Sequence, residues 1–341
     1  MSGKNEDFKW SYLVHFGKNM WGDKPRPMSK TSFPWKHLSD EEFAAASSDR
    51  YRSLSRVRFD EPVWREVSEN LKANGCNQIV IDVGEFLRYP SHPELAVEGS
   101  WSQERLSAEV SRLKNMGFDV VPKLNFSATH HSWLGPYVRL TSTPEYYRVC
   151  GDLIRDTLET FGETKSFHLG FDEEDIPKYQ RFNSLLVIRQ GELWWHDVNW
   201  FVGQVEKRGV QAWIWHDYTR RHPIEDFVKN MPKSVLQSPW AYMLEWEKPD
   251  YLKHKKKRLD EMLALLDAGY SVIPCGSNLF GVPESFALLS EWCAENLHGP
   301  CFKGMLNAPW LTTIEPCRKL FRRETECFSD ARRRFYAKRK S

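Results

Sequence analysis

The chain has 341 residues, of which 41% are hydrophobic and 28% charged, a balance that is ordinary for a globular protein. Its formal net charge of +2 gives no reason to expect nucleic acid or a membrane surface as a partner. No apolar run approaches the roughly 20 residues of a membrane span, and the first nine residues lack the apolar stretch of a signal peptide. The compartment and the oligomeric state are left open, and a trimmed leader would make the protein an exported one.

Seven cysteines occur without a CxxC pair, which disfavours both a disulfide framework and a zinc site. We expect most of them to be buried thiols. Aromatic residues make up 14% of the chain. Most of these rings are expected in a large core, although a sugar-binding cleft also uses aromatic platforms.

Apolar runs that predict strands alternate with amphipathic segments that predict helices along the chain. The predicted strands are 12–16, 78–82, 118–125, 167–171, 210–215, 234–238, 270–275 and 302–307. The predicted helices are 61–73, 103–116, 144–161, 185–207, 256–267, 284–296 and 317–336. A glycine follows several of these helices, as is typical of a helix end. A polar segment with Pro25, Pro27 and Pro34 is expected to form a loop over one face.

This alternation predicts a single (β/α)8 barrel over residues 1–341, with an N-terminal loop segment and a basic C-terminal helix. A doubly wound sheet is the alternative, but it would normally carry a glycine-rich phosphate loop after the first strand, and none appears. The basic run 253–258 and the basic tail 332–340 are expected to be solvated helix faces.

The fourth predicted strand ends in four consecutive acids, Asp172, Glu173, Glu174 and Asp175. In a barrel the carboxyl ends of the strands meet at one mouth, where barrel enzymes place their chemistry. An acidic turn that caps the next helix would show the same local pattern. The choice between these interpretations depends on the other strand ends.

Acids, amides and aromatic residues also follow the other predicted strands. The candidates for substrate binding are Asp82, Asn125, His130, Trp215, Asp217, Trp240, Tyr242, Asn278, Trp310 and Glu315. This inventory suits a carbohydrate, because rings stack on sugar faces, polar groups bind hydroxyls and a protonated acid can supply a leaving-group proton. No G-x-S-x-G motif occurs, and His130 and His131 are adjacent, so they cannot both face one metal from a regular strand. We therefore expect a carbohydrate substrate, no metal and no cofactor.

The segment His168-Leu-Gly-Phe-Asp-Glu173 resembles the H-x-G-G-D-E signature of glycoside hydrolase family 20, the β-N-acetylhexosaminidases. Other segments are similar to motifs of that family in the same order: 120–130, 215–217, 238–240 and 307–315. The resemblance covers the barrel from about the second strand to the eighth. It implies a catalytic (β/α)8 barrel that removes terminal β-linked N-acetylhexosamine from glycans.

The resemblance implies that Glu173 is the general acid/base and that Asp172 holds the 2-acetamido group, whose carbonyl oxygen attacks the anomeric carbon. A physical argument points the same way. An ordinary retaining glycosidase places two carboxyl groups about 5 Å apart on either side of the scissile bond, and neighbouring residues on one strand are poorly placed for that. Repulsion between adjacent acids is expected to raise one pKa relative to the other.

Some residues depart from the family pattern. Phe171 replaces the second glycine of the signature, and Lys123 and Asn125 replace two acids. The strand-seven tyrosine of the family has no clear counterpart, with Asn278 or Phe280 in its place. These departures leave open the identity of the sugar and of its substituent at C2.

Two other functions remain compatible with the sequence. One is a catalytically silent barrel that binds carbohydrate. The other is a two-carboxylate glycosidase of different specificity, in which Asp82, Asp217 or Glu315 is the second acid. His130 either contacts the sugar or supports residues that do.

Overall fold

The computed structural model describes residues 8–22, 30, 37–48, 50, 52–174, 189–242, 249–279 and 282–340, and the side chains of 249–254 are excepted. Several predictions concern residues outside this part of the chain. They are the proline-containing loop, Asp175, the start of the helix predicted at 185–207, and Phe280.

Eight parallel strands form one sheet in the neighbour order β6-β5-β4-β3-β2-β1-β8-β7. They are β1 (Lys9–His15), β2 (Gln78–Asp82), β3 (Asp119–Lys123), β4 (Ser166–His168), β5 (Gln211–His216), β6 (Leu236–Pro239), β7 (Cys275–Gly276) and β8 (Gly304–Asn307). Parallel bridges from Gln237 to Val272 and from Trp240 to Cys275 bring β6 against the β7 segment and close the circle. The predicted (β/α)8 barrel is confirmed.

The helices of the described residues surround this barrel. They are α1 (Asp40–Ser47), α2 (Glu61–Ala73), α3 (Gln103–Asn115), α4 (Pro144–Phe161), α5 (Glu192–Glu206), α6 (Ile224–Asn230), α7 (Pro249–Asp267), α8 (Ser285–Asn296) and α9 (Arg318–Lys340). Short 3₁₀ helices lie at Gly84–Phe86, Pro93–Leu95, Ser132–Leu140, Tyr218–Arg220 and Glu315–Cys317. None of the helices in the described ranges is both long enough and apolar enough to cross a membrane.

The shortest strand, β7, has two residues where the sequence predicts a strand over 270–275. The segment still follows the barrel wall, because Val272 bridges both Gln237 and Phe302. Pro274 lies between Val272 and β7 and has no N–H to donate, so the ladder lacks one hydrogen bond there.

Strand residues alternate between two cores, as the period of two requires. An inner cluster fills the barrel and contains Leu13, Val80, Val121, Trp213, Trp215, Leu236, Ile273 and Leu306. An outer cluster packs the strands against the helices and includes Tyr12, Ile79, Val120, Ile214 and Met305. Five free thiols are buried, as expected: Cys76, Cys150, Cys275, Cys293 and Cys317.

The two basic segments are only partly solvated. Lys256 and Lys257 are exposed, but Arg258 is half-buried, with its guanidinium 4.4 Å from the ring centroid of Trp240. Arg332 in the C-terminal tail likewise lies 5.5 Å from the ring of Trp10. The prediction of solvated faces was wrong for these arginines, because a planar guanidinium on a long stem stacks well on an indole.

A buried ion pair crosses the barrel interior. Lys123 at the end of β3 is wholly buried and donates to Asp82 at the end of β2, and His15 Nδ1 lies 3.3 Å from the same carboxylate. Burial alone would raise the pKa of Asp82, but the Lys123 ammonium and His15 hold it well below its usual range. Burial lowers the pKa of His15 to about 3, so its ring is neutral at pH 7. Asp82, predicted to bind substrate, is thus occupied by partners inside the barrel.

This pair predicts a strong effect of removing the cation. Lys123→Met should lower the free energy of unfolding by roughly 3–5 kcal/mol, because it leaves the buried Asp82 carboxylate without its partner. Adding Asp82→Asn to that variant should recover more than half of the loss. Urea denaturation followed by circular dichroism measures both, and a double variant no more stable than Lys123→Met would contradict the prediction.

Candidate active site

The chain leaves β4 through a turn with an unusual backbone. The φ angle is 81° at Gly170, 66° at Phe171 and 61° at Glu173. Left-handed φ values are uncommon outside glycine, and a bulky residue holds them at a cost. At Gly170 a side chain would also collide, since a Cβ there would lie 2.0 Å from Asn125 Oδ1. Phe171, which departs from the Gly-Gly motif, therefore adopts a conformation that glycine adopts more easily.

Contacts from the segments that follow β3 and β5, and from α5, hold this turn in place. The Asn125 amide donates to Asp172 Oδ1 at 3.0 Å, and the backbone N–H of Glu173 donates to Asp217 Oδ2 at 3.0 Å. The ring of Phe171 is buried 5.3 Å from that of Phe201 on α5. The structure thus brings Asn125, Asp172, Glu173 and Asp217 together, as predicted from the strand ends.

His130 lies between the two acids. Its Nε2 is 3.4 Å from Glu173 Oε2, and its Nδ1 is 3.8 Å from Asp172 Oδ1. The same Nδ1 is 2.7 Å from Thr129 Oγ1. Burial alone would lower the pKa of His130, but the Asp172 and Glu173 carboxylates reverse the effect and raise it above the usual value. The imidazole can therefore exchange a proton with Glu173 through Nε2, whereas its interaction with Asp172 at 3.8 Å is one of charge alone.

A second buried ion pair fixes the loop that carries His130. Arg189 has a fully buried side chain that pairs with Glu174 and with Asp197 at 3.1 Å, and it donates to the Phe126 carbonyl at 2.8 Å. Glu174 also accepts the N–H of Ala128 at 2.7 Å. The loop after β3 is thereby tied to the turn after β4. Arg189 was not among the predicted residues, because a single arginine ahead of a helix carries no local signal.

Aromatic residues form a continuous wall at the mouth, with each ring in contact with the next. Trp215 lies 5.8 Å from Trp310, whose indole N–H donates to the Tyr242 hydroxyl at 2.9 Å. Tyr242 stacks on Trp240 with ring centroids 5.2 Å apart. The buried Trp215 Nε1 has no hydrogen-bond partner in the described part of the chain. All four rings were predicted site residues, and the structure joins them.

Among the carboxyl groups at the mouth, Asp217 has the pKa that is most clearly raised above its ordinary value. Burial raises it to about 7, and repulsion by Asp172 and Glu173 adds to the rise while Arg220 opposes it. The sequence had predicted such a displacement within the Asp172–Glu173 pair. That stays a prediction, and the raised pKa in the structure belongs to a third acid, Asp217, which supports the backbone of the pair.

Asn278 and Glu315 point elsewhere. Asn278 donates to Glu324 Oε2 on α9 at 3.2 Å and accepts the N–H of Phe286 on α8, so it faces the outer helices. The Glu315 side chain is 64% exposed and pairs with Arg318 at 2.7 Å. Both residues follow strands, but the chain has already turned outward where they lie.

Three residues near the mouth, His130, Asp172 and Glu173, form a group of potential metal ligands. Donor atoms of His130, Asp172 and Glu173 lie within 4.8 Å of one another. One nitrogen of His130 and one oxygen of each acid meet this limit together, so the same group can serve either proton transfer or cation binding.

The sequence matches no protein-family model and no curated protein. Solved structures do match. A Flavobacterium johnsoniae chitobiase of glycoside hydrolase family 20 is 17% identical with a TM-score of 0.55, over 82% of this chain and 49% of that one. Dispersin B is 13% identical with a TM-score of 0.51, over 80% of this chain and 94% of that one. A family 20 exo-β-N-acetylglucosaminidase from Vibrio harveyi, in an inactive mutant form, is 11% identical with a TM-score of 0.57, over 95% of this chain and 54% of that one.

At these identities the likeness establishes the fold, which is the barrel found in family 20 glycoside hydrolases. The chain spans about half the length of the chitobiase and of the Vibrio enzyme.

The close approach at Gly170 predicts that adding a side chain there destabilises the protein. Gly170→Ala should lower the free energy of unfolding by about 1–3 kcal/mol or more, since it combines a left-handed φ with a collision at Asn125. Gly203→Ala on α5 is the matched control, because no atom lies within 4 Å of the added Cβ. It should be neutral or stabilising by up to about 1 kcal/mol. Thermal and urea unfolding compare the two, and equal stabilities would refute the close approach.

The raised pKa of Asp217 predicts a pH dependence of stability. The native carboxyl titrates near 7 and the unfolded one near 4, so the native state binds the proton more tightly and its stability falls as pH rises between these values. Asp217→Asn cannot titrate. Its free energy of unfolding relative to the unsubstituted protein should therefore increase from about pH 4 to about pH 7. Urea unfolding at several pH values measures the difference, and a difference independent of pH would contradict the assignment.

Proposed function

We propose that this protein is a glycoside hydrolase that removes terminal β-linked N-acetylhexosamine, or a close relative of it, from glycans by substrate-assisted catalysis with retention. The observation that carries the proposal is the Asp172–Glu173 pair at the mouth of the barrel, with Asn125 holding Asp172. The aromatic wall supports it by offering a stacking surface for a sugar. The structural similarity to a chitobiase and to an exo-β-N-acetylglucosaminidase adds support.

In this proposal Glu173 is the general acid. It donates its proton to the glycosidic oxygen while the bond from that oxygen to the anomeric carbon breaks. The carbonyl oxygen of the 2-acetamido group forms the new bond to the anomeric carbon, giving a cyclic oxazolinium ion. Glu173 then removes a proton from a water molecule, which attacks the same carbon and opens the ring. Two displacements leave the anomeric configuration retained.

Asp172 acts on the acetamido group. Asn125 engages Oδ1 of Asp172, and we assign Oδ2 to the N–H of the substrate amide. An ionised carboxylate there offsets the positive charge that develops on the amide as its oxygen attacks. His130 lies between the two acids, with Nε2 3.4 Å from Glu173 and Nδ1 3.8 Å from Asp172, where an imidazolium can pass a proton to Glu173 and offset the negative charge of Asp172.

The test is a panel of 4-nitrophenyl β-glycosides. N-Acetylglucosaminide or N-acetylgalactosaminide should be hydrolysed, and the glucoside and galactoside, which lack the acetamido group, should not. Sugar binding without turnover of any glycoside would support a silent carbohydrate-binding barrel instead. Turnover of the glucoside, with a glycosyl ester trapped on an acid by a 2-fluoro glycoside, would point to an ordinary two-carboxylate enzyme.

If Glu173 is the general acid, the loss of activity on its substitution should depend on the leaving group of the substrate. Glu173→Gln should lose roughly 10²–10⁴-fold in kcat/KM on a natural disaccharide, which needs protonation of its leaving group. The loss should be much smaller on an activated aryl glycoside. Glu192→Gln, an exposed glutamate in the first turn of α5, is the matched control and should leave both rates unchanged. Equal small losses for Glu173→Gln on both substrates would move the acid role to another residue.

A further inference from the structure

Two arginines converge on Trp240 at the β5–β6 side of the mouth. The guanidinium of Arg220 lies 3.5 Å from the ring centroid, and that of Arg258 lies 4.4 Å from it. Both donate to the Trp240 carbonyl oxygen, Arg220 at 2.8 Å and Arg258 at 3.3 Å. Two like charges are thus held close together, and both side chains are partly withdrawn from water.

Within the described part of the chain, few acids lie close enough to neutralise the positive charge of the two arginines. Arg220 Nε lies 3.6 Å from Glu261 Oε2, and neither oxygen of Glu261 has a hydrogen-bond partner within the described ranges. Burial raises the pKa of Glu261 and raises that of Asp217 to about 7. Burial and the charge of Arg220 lower the pKa of Arg258 to about 10. Among the described residues, the two guanidiniums thus have one carboxylate within 4 Å, that of Glu261.

The arginine pair lies beside the groups assigned to the reaction. Asp217 accepts the backbone N–H of Glu173 and lies close enough to Arg220 and Arg258 for their charges to affect one another. Trp240, on which both arginines stack, is the end of the aromatic wall. The guanidiniums therefore lie next to the surface on which the sugar is proposed to stack.

We propose that Arg220 and Arg258 bind an anionic group of the substrate, a sulfate ester or a carboxylate, so that the site prefers acidic glycans to neutral ones. The inference rests on the proposed function, because it assigns a substrate class to the same site. Guanidinium stacking on an indole leaves N–H groups at the edge of the plane, and these match the paired oxygens of sulfate and carboxylate.

The anionic group can lie on the terminal sugar or on the leaving group. Both positions use the same chemistry, and two substrate pairs distinguish them. The first pair is 4-nitrophenyl β-N-acetylglucosaminide and its 6-sulfate. The second is N-acetylglucosamine β-linked to glucuronic acid and the same sugar β-linked to glucose.

The acidic member of at least one pair should have a kcat/KM about tenfold or more above that of its neutral partner, the factor expected of one charge-assisted contact. Added salt should reduce this preference. Arg258→Met should lower kcat/KM for the acidic substrate about tenfold more than for the neutral one, with Arg258→Lys intermediate. Arg333→Met, at a side chain that is 76% exposed on α9, is the control and should leave the ratio unchanged. Circular dichroism and thermal unfolding check that each variant is folded.

A binding measurement separates failure of this inference from failure of the proposed function. Isothermal titration calorimetry compares N-acetylglucosamine 6-sulfate, N-acetylglucosamine and a glucuronic-acid-containing disaccharide. If no glycoside is hydrolysed but an acidic ligand binds more tightly, and Arg258→Met removes the difference, the inference stands and the enzyme function fails. If neutral glycosides are hydrolysed with no acidic preference in rate or binding, the function stands and the inference is overturned.

Discussion

The candidate site depends on a short left-handed turn after β4. Three of the four residues from Gly170 to Glu173 have positive φ, and only one of those three is glycine. Such a backbone persists when its surroundings over-determine it. Here Asn125 from the loop after β3 fits against Gly170 and binds Asp172, while Asp217 after β5 binds the N–H of Glu173. Neighbouring strand ends thus hold two adjacent acids through separate contacts, one to the Asp172 side chain and one to the Glu173 backbone, and the two acids have separate proposed roles.

Buried ion pairs give this turn a rigid base. Lys123 and Asp82 pair inside the barrel, and Arg189 joins Glu174 to the loop that carries His130. Pairs of this kind add little net stability compared with apolar packing, but losing one partner is costly, so they define one arrangement strongly. That property suits a site in which His130 must contact both acids. It also accounts for Lys123 where the related sequence motif has an acid, since the lysine neutralises Asp82 within the barrel.

Much of the fold was predictable, because the period-two and period-3.6 patterns and the helix-ending glycines are local signals. The cluster of Asn125, Asp172, Glu173 and Asp217 was predictable too, since parallel strand ends must share one mouth. Side-chain direction was not: Asn278 and Glu315 follow strands yet face the outer helices and the surface. Arg189 and the raised pKa of Asp217 arise from contacts between distant segments, and no local pattern encodes those contacts.

The central claim is that Asp172 acts on the substituent at C2 while Glu173 acts on the leaving group. A crystal structure with the thiazoline derivative of N-acetylglucosamine, a stable mimic of the cyclised intermediate, tests it most directly. The mechanism predicts an Asp172 carboxylate oxygen within hydrogen-bond distance of the ring nitrogen, Glu173 near the anomeric carbon, and the sugar face on the aromatic wall. A thiazoline bound with Asp172 out of reach, or excluded from the mouth at concentrations that saturate a simple glycoside, would contradict it.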